Sequence, residues 1–483
     1  METEPTAHVP RADLQPVDCA GPVRIAWAAT PLDQRLKLIR NLRHLIADNS
    51  SHLTEAIPSD LARNHADTQA AEILPLLAAA RFLEREAHKL LAARHLGRRG
   101  LPFWLAGVHS SVERVPLGTI LIIAPANYPL FLPGVQALQA LAAGNTVVWK
   151  PGRNGAPIAH LFAGLATRAG LPEGVLRITD DSVEAATREI SALPAKIVFT
   201  GSATAGRAVL RQAAEHAIPV VAELSGCDAV FALPSADPAR LAAALSFGMR
   251  LNGSATCMAP RRLILIGDGH DDLLARLKQA FAAADPIFVR ESIRQQLIPL
   301  LVDARAQGAT ILGELGPVSM RPILILDGTP TMQIAQADLF APVLTVLRAG
   351  NEAAALEVDA HNPYGLTAAI FGDESQALTF GGSLAVGTLL INDLIAPTAD
   401  PRVPFGGRRA SGFGTTRGAE GLLEMTAART ILIRRGRDQR HLEPTSPTHE
   451  DLFGGVIALT HSVSFSSRFA GLKRLLAAAK KLK

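Results

Sequence analysis

The feature that most constrains the fold is an alternation of apolar runs and helical segments from residue 119 onward. Runs such as TILIIAP (119–125), AKIVFTG and RRLILIG are apolar at nearly every position, and Ala-rich segments with helical periodicity separate them. Strands that are apolar throughout are buried on both faces, as in parallel sheets covered by helices. The alternation occurs both before and after Glu223. The sequence therefore predicts two α/β domains of comparable size.

Composition and length exclude several classes of protein. A chain of 483 residues with 48% hydrophobic and 19% charged residues is too long for one ordinary domain and too apolar to be disordered. The N-terminus is acidic and contains prolines, unlike a signal peptide, and the chain lacks a run of about 18 apolar residues that would predict a membrane-spanning helix. Three widely spaced cysteines (Cys19, Cys227, Cys257) argue against a disulfide framework. We expect a cytoplasmic protein.

The positive charge is concentrated in the C-terminal tail. Residues 466–483 carry six cations and no acid while the whole chain has a net charge of +4, so the remainder is at −2 and nucleic-acid binding is not expected. Apolar residues lie on one face of a helix in this tail: Phe469, Leu472, Leu475, Leu476, Ala479 and Leu482. A basic amphipathic helix is typical of a peripheral membrane anchor. A solvated helix, or one docked on a partner subunit, is the alternative.

Cys257 lies in the segment NGSATCMA, a short polar break between a helical segment and a strand-like run. A single cysteine is most often a small buried apolar residue, and Cys19 and Cys227 are interpreted in that way. A cysteine on a loop can instead be a nucleophile, because a thiolate attacks carbonyl carbons readily. From this segment alone both interpretations stay open.

The segment FTGSATAGRAVL places Gly201 and Gly206 between a strand and a helix. A helix N-terminus with free backbone N–H groups favours anions such as a diphosphate. A Walker A loop is excluded because Arg207 and Ala208 stand where Lys and Ser or Thr are required, and no G-x-G-x-x-G pattern occurs. An ordinary turn between strand and helix is the alternative.

Several motifs occur together in one order. They are IIAPANYPL, GNTVVWKP, FTGSATAG, ELSG, a cysteine 34 residues after the glutamate of ELSG, DLFAPVL, NPYGLTAAIF and PFGGRRASGFG. In order and separation they resemble the aldehyde dehydrogenase superfamily, over roughly residues 20–437. Any one of these motifs is weak evidence for the family, whereas the whole set in this order and spacing is specific to it.

The resemblance implies an aldehyde-dehydrogenase-like α/β fold with a particular organisation. We expect a flexible N-terminus (1–20), a Rossmann-like nucleotide-binding domain (21–226) with a bridging β-hairpin near 105–118, and an α/β catalytic domain (227–420). An oligomerisation strand (421–437) and a linker with the basic amphipathic tail (438–483) follow. Members of the family form oligomers, so a homodimer or homotetramer is expected.

The resemblance also implies an active site, and the chemistry of the residues agrees with it. Cys257 would attack the aldehyde as a thiolate, forming a thiohemiacetal and, after oxidation, a thioester. Asn127 would donate a hydrogen bond to the oxyanion, and Glu223 would activate the water that hydrolyses the thioester. Taken singly, Asn127 is as typical of a helix N-cap, and Glu223 of a solvated strand end.

By the same resemblance the cofactor is NAD or NADP, and no metal is expected. Residues expected at the cofactor are Lys150, Arg153, Gly201, Ser202, Gly206, Asp338 and Phe340, while Ala126 and Phe405 would line the aldehyde pocket. Asn392 resembles a supporting position beside the nucleophile, and Phe405 is equally typical of an aromatic core residue.

Departures from the family pattern bear on cofactor and substrate. Arg153 stands where a glutamate often binds the ribose, which favours or tolerates NADP. Asp338 is one methylene shorter than the usual glutamate, and Ser254-Ala255 replaces the common Gly-Gln. Ala126 replaces a bulky aromatic residue, which suggests a wide pocket for a large apolar or long-chain aldehyde.

We therefore predict oxidation of an aldehyde to a carboxylate with NAD(P)+. The alternatives are a CoA-acylating enzyme of the same fold, or a catalytically weak membrane-associated scaffold. The presence of Glu223 favours hydrolysis by water. The combination of Cys257, Asn127 and Glu223 argues against a scaffold, which needs none of them.

Overall fold

The computed structural model describes residues 21–102, 105–435, 442 and 444–482. The predicted flexible N-terminus with Cys19, the last two residues of the predicted oligomerisation strand (436–437) and the start of the predicted linker (438–441) lie outside the described residues. Two compact units are formed. Of the described residues, the first unit comprises those up to Arg94 and Val112–Arg429, and the second comprises those of His95–Ser111 and from Thr430 onward.

The helices of the described residues are α1 (Pro22–Ala29), α2 (Leu32–Asp48), α3 (Ser50–Glu55), α4 (His65–Thr68), α5 (Leu74–Leu91), α6 (Phe131–Ala143), α7 (Ala156–Arg168), α8 (Val183–Ser191), α9 (Ala203–Glu215), α10 (Pro238–Arg250), α11 (Asp271–Ala283), α12 (Glu291–Ala306), α13 (Glu352–Ala360), α14 (Glu374–Gly381), α15 (Gly418–Glu424), α16 (Pro447–His461) and α17 (Phe465–Lys481). The strands are β1 (Arg94–His95), β2 (Val108–Pro116), β3 (Thr119–Ile123), β4 (Thr146–Lys150), β5 (Leu176–Ile178), β6 (Lys196–Thr200), β7 (Val220–Glu223), β8 (Asp228–Ala232), β9 (Pro260–Ile266), β10 (Ile287–Phe288), β11 (Thr310–Leu312), β12 (Ser319–Met320), β13 (Ile323–Leu326), β14 (Val343–Ala349), β15 (Tyr364–Gly365), β16 (Thr367–Phe371), β17 (Thr388–Ile391), β18 (Arg408–Arg409), β19 (Gly412–Phe413) and β20 (Thr426–Arg434).

The first large sheet has the strand order β19-β7-β6-β3-β4-β5. Its pairs are parallel apart from β19, which runs antiparallel to β7. The chain leaves β3 toward β4 on one side and returns through β6 on the other, so the order reverses between β3 and β6. In open parallel sheets, ligands bind beyond the carboxyl ends of the strands at such a reversal. The sheet therefore indicates a ligand site where β3 and β6 end.

The second large sheet has the order β11-β13-β14-β9-β8-β16-β17 and is parallel apart from the β11–β13 pair. Its central strands are apolar and buried along their length; every residue of β9 is buried. Helices α10 and α11 pack on one face, around Leu245 and Leu277, and α13 and α14 cover the other. Two parallel sheets covered by helices confirm the predicted α/β class.

The boundary predicted between the catalytic domain (227–420) and the oligomerisation strand (421–437) differs from the observed elements. The predicted strand 421–437 begins only at Thr426, because Gly418–Glu424 forms helix α15, which buries Leu422 in the first core. Shortly before α15, β19 returns to the edge of the first sheet, where Gly412 is the register partner of Glu223. Strand β2 lies in a three-stranded sheet of order β1-β2-β20.

In the second unit, α16 and α17 form a helical hairpin. A Cβ added at Gly455 would lie 2.9 Å from the carbonyl oxygen of Gly471, so glycines allow the two backbones to approach closely. The sequence did not predict α16, which covers part of the face expected to be free on α17. As a result Leu472 and Leu475 are half-buried, while Phe469 remains 51% exposed. Within the described part of the chain, no helix combines the length and apolarity needed to cross a bilayer.

Candidate active site

The loop that carries Cys257 has an unusual backbone. Asn252, Gly253 and Ser254 have φ of 52°, 58° and 62°, in the left-handed region that favours glycine. Buried Arg261 holds the strained turn by donating to the carbonyl oxygen of Ser254 at 2.6 Å and to its hydroxyl at 2.8 Å. The left-handed conformation is one that glycine adopts without strain, whereas Ser254 must be held in it. It also fixes the direction in which the chain enters Cys257.

Asn127 lies just beyond the carboxyl end of β3 and is bonded to this loop. Its side-chain Nδ2 donates to the carbonyl oxygen of Ala255 at 2.8 Å, and Asn252 Nδ2 donates to the carbonyl oxygen of Asn127 at 3.1 Å. An asparagine amide has two N–H groups. One holds the nucleophile loop, so the other is the one that an oxyanion at Cys257 could use.

A buried ion pair supports the segment that carries Asn127. The Glu72 carboxylate accepts from the backbone N–H groups of Leu130 and Phe131 at the start of α6, at 3.2 and 2.6 Å, and from Arg63 at 2.7 Å. Arg63 also donates to the carbonyl oxygen of Asn127 at 3.4 Å. Burial raises the pKa of Glu72, and Arg63 with the two N–H groups opposes that rise. Sequence reasoning missed this pair, because neither residue lies in a motif.

Glu223 ends β7 and is only 4% exposed. The Thr416 hydroxyl donates to one carboxylate oxygen, and Thr200 at the end of β6 donates to the other at 3.3 Å. Burial raises the pKa of Glu223, while Thr416, Arg417 and Thr200 act in the opposite direction. A raised pKa makes the carboxylate a stronger base. Thr416 was not predicted, since only the return of β19 to the first sheet brings it near Glu223.

A cavity of about 240 Å³ brings most of the predicted site residues together. Of these, its walls include Ala126, Asn127, Gly201, Ser202, Glu223, Cys257, Asp338, Phe340 and Phe405. The cavity lies at the carboxyl ends of β3 and β6, where the order of the first sheet reverses. A larger cavity of about 1200 Å³, lined by Arg24, Glu113 and Arg177 among others, contains none of the predicted catalytic residues. The smaller cavity is therefore the candidate active site.

The surroundings of Cys257 favour the protonated thiol. Burial raises the pKa of Cys257 to about 12, with further increases from Asp228, Glu223 and Asp338, while Arg417 lowers it. The thiolate expected from sequence is thus a minor form near neutral pH. The sequence showed neither the burial of the thiol nor the carboxylates that surround it. Attack on an aldehyde then requires loss of the thiol proton during the reaction.

The residues at the strand ends fit a dinucleotide. Ser202 caps α9, a 13-residue helix, and its hydroxyl accepts from the N–H of Ala205 at 3.3 Å, which leaves a helix N-terminus facing the cavity. Buried Lys150 ends β4, and burial lowers its pKa while Asp181 and Asp180 oppose that effect. A Cβ at Gly152 would lie 2.4 Å from the carbonyl of Pro125, so only glycine fits between these two loops.

Besides Lys150, three expected residues lie outside the walls of this cavity. Arg153 is exposed and has Asp60 at 3.8 Å, and Asp60 also has Arg290 at 3.4 Å. Gly206 is buried in α9, where a Cβ would lie 2.4 Å from Leu224, so packing alone accounts for this glycine. Asn392 follows β17, and its amide exchanges hydrogen bonds with the backbone of Gly372.

The comparisons with known proteins agree with the fold. The model of the aldehyde dehydrogenase family matches residues 4–431. A 4,4'-diapolycopene aldehyde oxidase from Methylomonas sp is 32% identical over 86% of this chain and 80% of that protein. A succinate-semialdehyde dehydrogenase [NADP(+)] from Deinococcus radiodurans is 28% identical over 84% and 87%. The crystal structure of a Mycobacterium tuberculosis aldehyde dehydrogenase complexed with NAD+ has a TM-score of 0.78 and 25% identity, covering 85% and 87%.

The chain belongs to the aldehyde dehydrogenase family. It is an enzyme that oxidises aldehydes with NAD or NADP. The two-domain α/β fold, with one nucleotide-binding and one catalytic sheet, is that of the family.

Proposed function

We propose that the enzyme oxidises an aldehyde to a carboxylate through a thiohemiacetal and a thioester on Cys257, and that water hydrolyses the thioester. The observation that carries the proposal is the convergence of Cys257, Asn127 and Glu223 on one cavity, from three separate elements. A nucleophile, an oxyanion donor and a base in one chamber are the groups that this reaction needs.

The first step is addition to the aldehyde carbonyl. Cys257 loses its proton, its sulfur bonds to the carbonyl carbon, and the carbonyl oxygen becomes an oxyanion. The free N–H of Asn127 Nδ2 and the backbone N–H of Cys257 stabilise that oxyanion, and one such donor is worth about 3 kcal/mol. NAD(P)+, when bound, accepts the hydride that leaves the tetrahedral carbon.

The second step is hydrolysis of the thioester. Glu223, held by Thr416 and Thr200, takes a proton from water as the water attacks the acyl carbon. The C–S bond breaks, the thiolate of Cys257 takes up the proton held by Glu223, and the acid is released. Because burial raises the pKa of Glu223, the carboxylate accepts this proton more readily than an exposed glutamate would.

The walls of the chamber favour an apolar aldehyde. Ala126 contributes only a methyl group, and Leu132, Phe288 and Phe405 supply apolar surface. The similarity to a 4,4'-diapolycopene aldehyde oxidase supports a large apolar substrate. We propose a long-chain or otherwise extended apolar aldehyde as the substrate.

The surroundings of Arg153 support use of NADP. Arg153 and Arg290 both lie within ion-pair distance of Asp60, so the group has one excess positive charge near the cofactor residues. An added phosphate would be attracted to such a group. We propose that the enzyme tolerates or prefers NADP.

We further propose a cytoplasmic enzyme that contacts anionic membrane surfaces through the hairpin α16–α17. Val463 between the helices is 99% exposed, and Phe465 at the start of α17 is 84% exposed. The cations Arg468 and Lys473 follow on α17. Apolar side chains at a tip with cations beside them suit insertion between anionic lipid head groups, where each cation contributes about 1 kcal/mol. Such contact would bring the enzyme to an apolar aldehyde in the membrane.

Sedimentation with vesicles tests the membrane contact. Wild type should sediment with vesicles that contain phosphatidylglycerol and not with pure phosphatidylcholine, and Val463→Asp with Phe465→Asp should abolish binding. Ile298→Asp, which changes an exposed apolar residue of the first unit, is the matched control. Equal sedimentation of all variants would contradict the proposal.

Strand β20 supports an oligomer. It lies at the edge of its sheet, with Leu432 66% and Ile433 48% exposed. Exposed apolar side chains on an edge strand suit pairing with a second copy. We propose a homodimer or homotetramer, which sedimentation equilibrium would distinguish from a monomer.

NAD(P)H formation with short, aromatic and long-chain aldehydes tests the proposed reaction. We expect activity that is greatest with apolar aldehydes, is unaffected by coenzyme A and is lost in Cys257→Ala. Activity that persists in Cys257→Ala would overturn the mechanism. A rate that requires coenzyme A would overturn hydrolysis by water.

A further inference from the structure

Arg417 is buried beside the chamber in a strained conformation. It precedes α15, is only 6% exposed, and has φ 61° and ψ 174°. That region of backbone space is populated almost entirely by glycine, so an arginine there is held by its surroundings. Strain of this kind concentrates at functional sites. The reaction described above assigns Arg417 no role.

The guanidinium of Arg417 is enclosed by aromatic rings. Its central carbon lies 4.3 Å from the ring centroid of Phe405 and 5.7 Å from that of Phe131. One terminal nitrogen donates to the carbonyl oxygen of Thr398 at 2.7 Å, while Nε is buried without a hydrogen-bond partner among the described residues. A buried cation whose hydrogen-bonding groups are not all used is costly, and its retention calls for a functional reason.

The charge of Arg417 acts on the catalytic centre. Phe405, on which the guanidinium stacks, lines the same cavity as Cys257, and the preceding residue, Thr416, donates to Glu223. The pKa of Arg417 is lowered by burial, and Glu223, Cys257 and Tyr128 oppose that effect. Around Cys257 the titratable and charged groups are Glu223, Asp228, Asp338, Tyr128, Arg261 and Arg417. The guanidinium of Arg261 is bonded to the carbonyl oxygen and hydroxyl of Ser254. Arg290 lies in the wall of the cavity, whereas Arg417 lies behind Phe405 and next to Thr416, so its charge acts on the centre from behind this wall.

We propose that Arg417 is a positioning residue. Its positive charge favours the thiolate of Cys257 and then the oxyanion that forms when the aldehyde adds. When the thiol loses its proton to solvent, negative charge forms at Sγ, and it moves to the carbonyl oxygen when the aldehyde adds. Three carboxylates oppose both anions, and Arg417 compensates them in part. The proposal rests on Cys257 being the nucleophile and adds to that mechanism a residue that opposes the carboxylates and so eases the ionisation of the thiol.

Alkylation of Cys257 in the full chain tests the proposal without turnover. The rates with neutral iodoacetamide and anionic iodoacetate are followed by mass spectrometry of the Cys257 peptide at pH values near 8. In Arg417→Met the iodoacetamide rate should fall about tenfold, because loss of a nearby cation raises a thiol pKa by about 1 unit. The rate with iodoacetate should fall by about a further threefold, since that reagent is itself attracted by the cation. Arg417→Lys should keep both rates within about threefold of wild type.

The ratio of the iodoacetamide rate to the iodoacetate rate distinguishes an electrostatic role of Arg417 from a purely structural one. Arg43→Met, which removes a partly buried guanidinium paired with Glu84 on α5, is the matched control and should leave the ratio unchanged. Equal losses with both reagents, or equal behaviour of Arg417→Lys and Arg417→Met, would show a structural role only and overturn the proposal. If Arg417→Met does not fold, the ratio in Arg417→Gln decides instead. Loss of activity in Cys257→Ala together with unchanged alkylation in Arg417→Met would overturn this proposal alone and leave the proposed function standing.

Discussion

Asp228 is a buried carboxyl in the second sheet that raises the pKa of Cys257 and whose own titration changes the stability of the protein. It begins β8, is 4% exposed, and accepts from the N–H and the hydroxyl of Thr367 at 3.3 and 2.5 Å. Burial raises the pKa of Asp228 from 3.8 to about 7, against the effects of Thr367, Arg262 and Arg261. In the folded protein the carboxyl is therefore neutral below pH 7, whereas in the unfolded chain it ionises near pH 4.

The sign of the effect follows from proton binding. Between about pH 4 and pH 7 the folded state holds a proton on Asp228 that the unfolded state has lost, so stability falls as pH rises through this window. At 1.36 kcal/mol per pKa unit, the shift to about 7 corresponds to a loss of about 4 kcal/mol by pH 8. Asp228→Asn removes this titration. Its oxygen can still accept from the Thr367 N–H, and its nitrogen can donate to the Thr367 hydroxyl.

Thermal unfolding of wild type and Asp228→Asn at about pH 5 and pH 8 measures this loss. Between pH 5 and pH 8 about two of these pKa units are titrated, which is about 3 kcal/mol. For a chain of 483 residues the entropy of unfolding is about 1 kcal/mol per degree, so the Tm of wild type should fall by about 3 °C relative to that of the variant between these pH values. The exposed control Asp272→Asn should follow wild type. A difference in Tm between variant and wild type that is the same at both pH values would refute the reasoning.

Three further predictions concern the cofactor, the support of the oxyanion donor and the nucleophile. Arg153→Glu places a carboxylate near the cofactor, so kcat/KM with NADP, from initial rates, should fall about tenfold relative to that with NAD. Glu72→Gln leaves Arg63 without its buried counter-charge, which should lower the free energy of unfolding in urea by about 3–5 kcal/mol. Because the pKa of Cys257 is about 12, its alkylation by iodoacetamide, measured on the peptide, should accelerate about tenfold per pH unit up to about pH 10.

Each of these predictions has a control and a contrary outcome. Arg168→Glu, an exposed change on α7, should leave the preference between NADP and NAD unchanged. If Arg153→Glu has the same preference as wild type, the role of Arg153 is contradicted. Exposed Glu55→Gln should have little effect in urea, and equal stability of the two variants would show that the Glu72–Arg63 pair is dispensable. A plateau in the alkylation rate near pH 8 would mean that the thiol ionises far more easily than its surroundings indicate.

The sequence predicted those features of the fold and site that depend on neighbouring residues, such as apolar strands and the motifs that follow them. Continuous apolar runs predicted β3, β4, β6 and β9, and the residues that follow β3, β6 and β7 line one cavity, as expected for parallel strands ending at one edge. Helix α15 was not predicted, and its second half falls in the predicted strand 421–437, since its seven residues carry no cap signal and are placed by burial of Leu422.

The contacts that set the charge of the site were beyond sequence reasoning. Thr416 reaches Glu223 only because β19 returns antiparallel to β7, a pairing with two residues and no periodic pattern. Asp228 and Arg417 bear on Cys257 through packing of distant segments, so their effect on its pKa depends on burial that no local pattern encodes. Similarly, α16 covers part of α17, which a helical projection of α17 alone does not reveal.

The central claim is that the acyl group passes through Cys257 and leaves by the action of Glu223. Glu223→Gln keeps a side chain of the same shape, so the thioester should form and then persist. After mixing this variant with an apolar aldehyde and NAD(P)+, mass spectrometry should show the acyl group on the Cys257 peptide, with about one NAD(P)H released per site and little turnover afterwards. An unmodified Cys257 peptide with continued turnover, or an acyl group on another residue, would contradict the account.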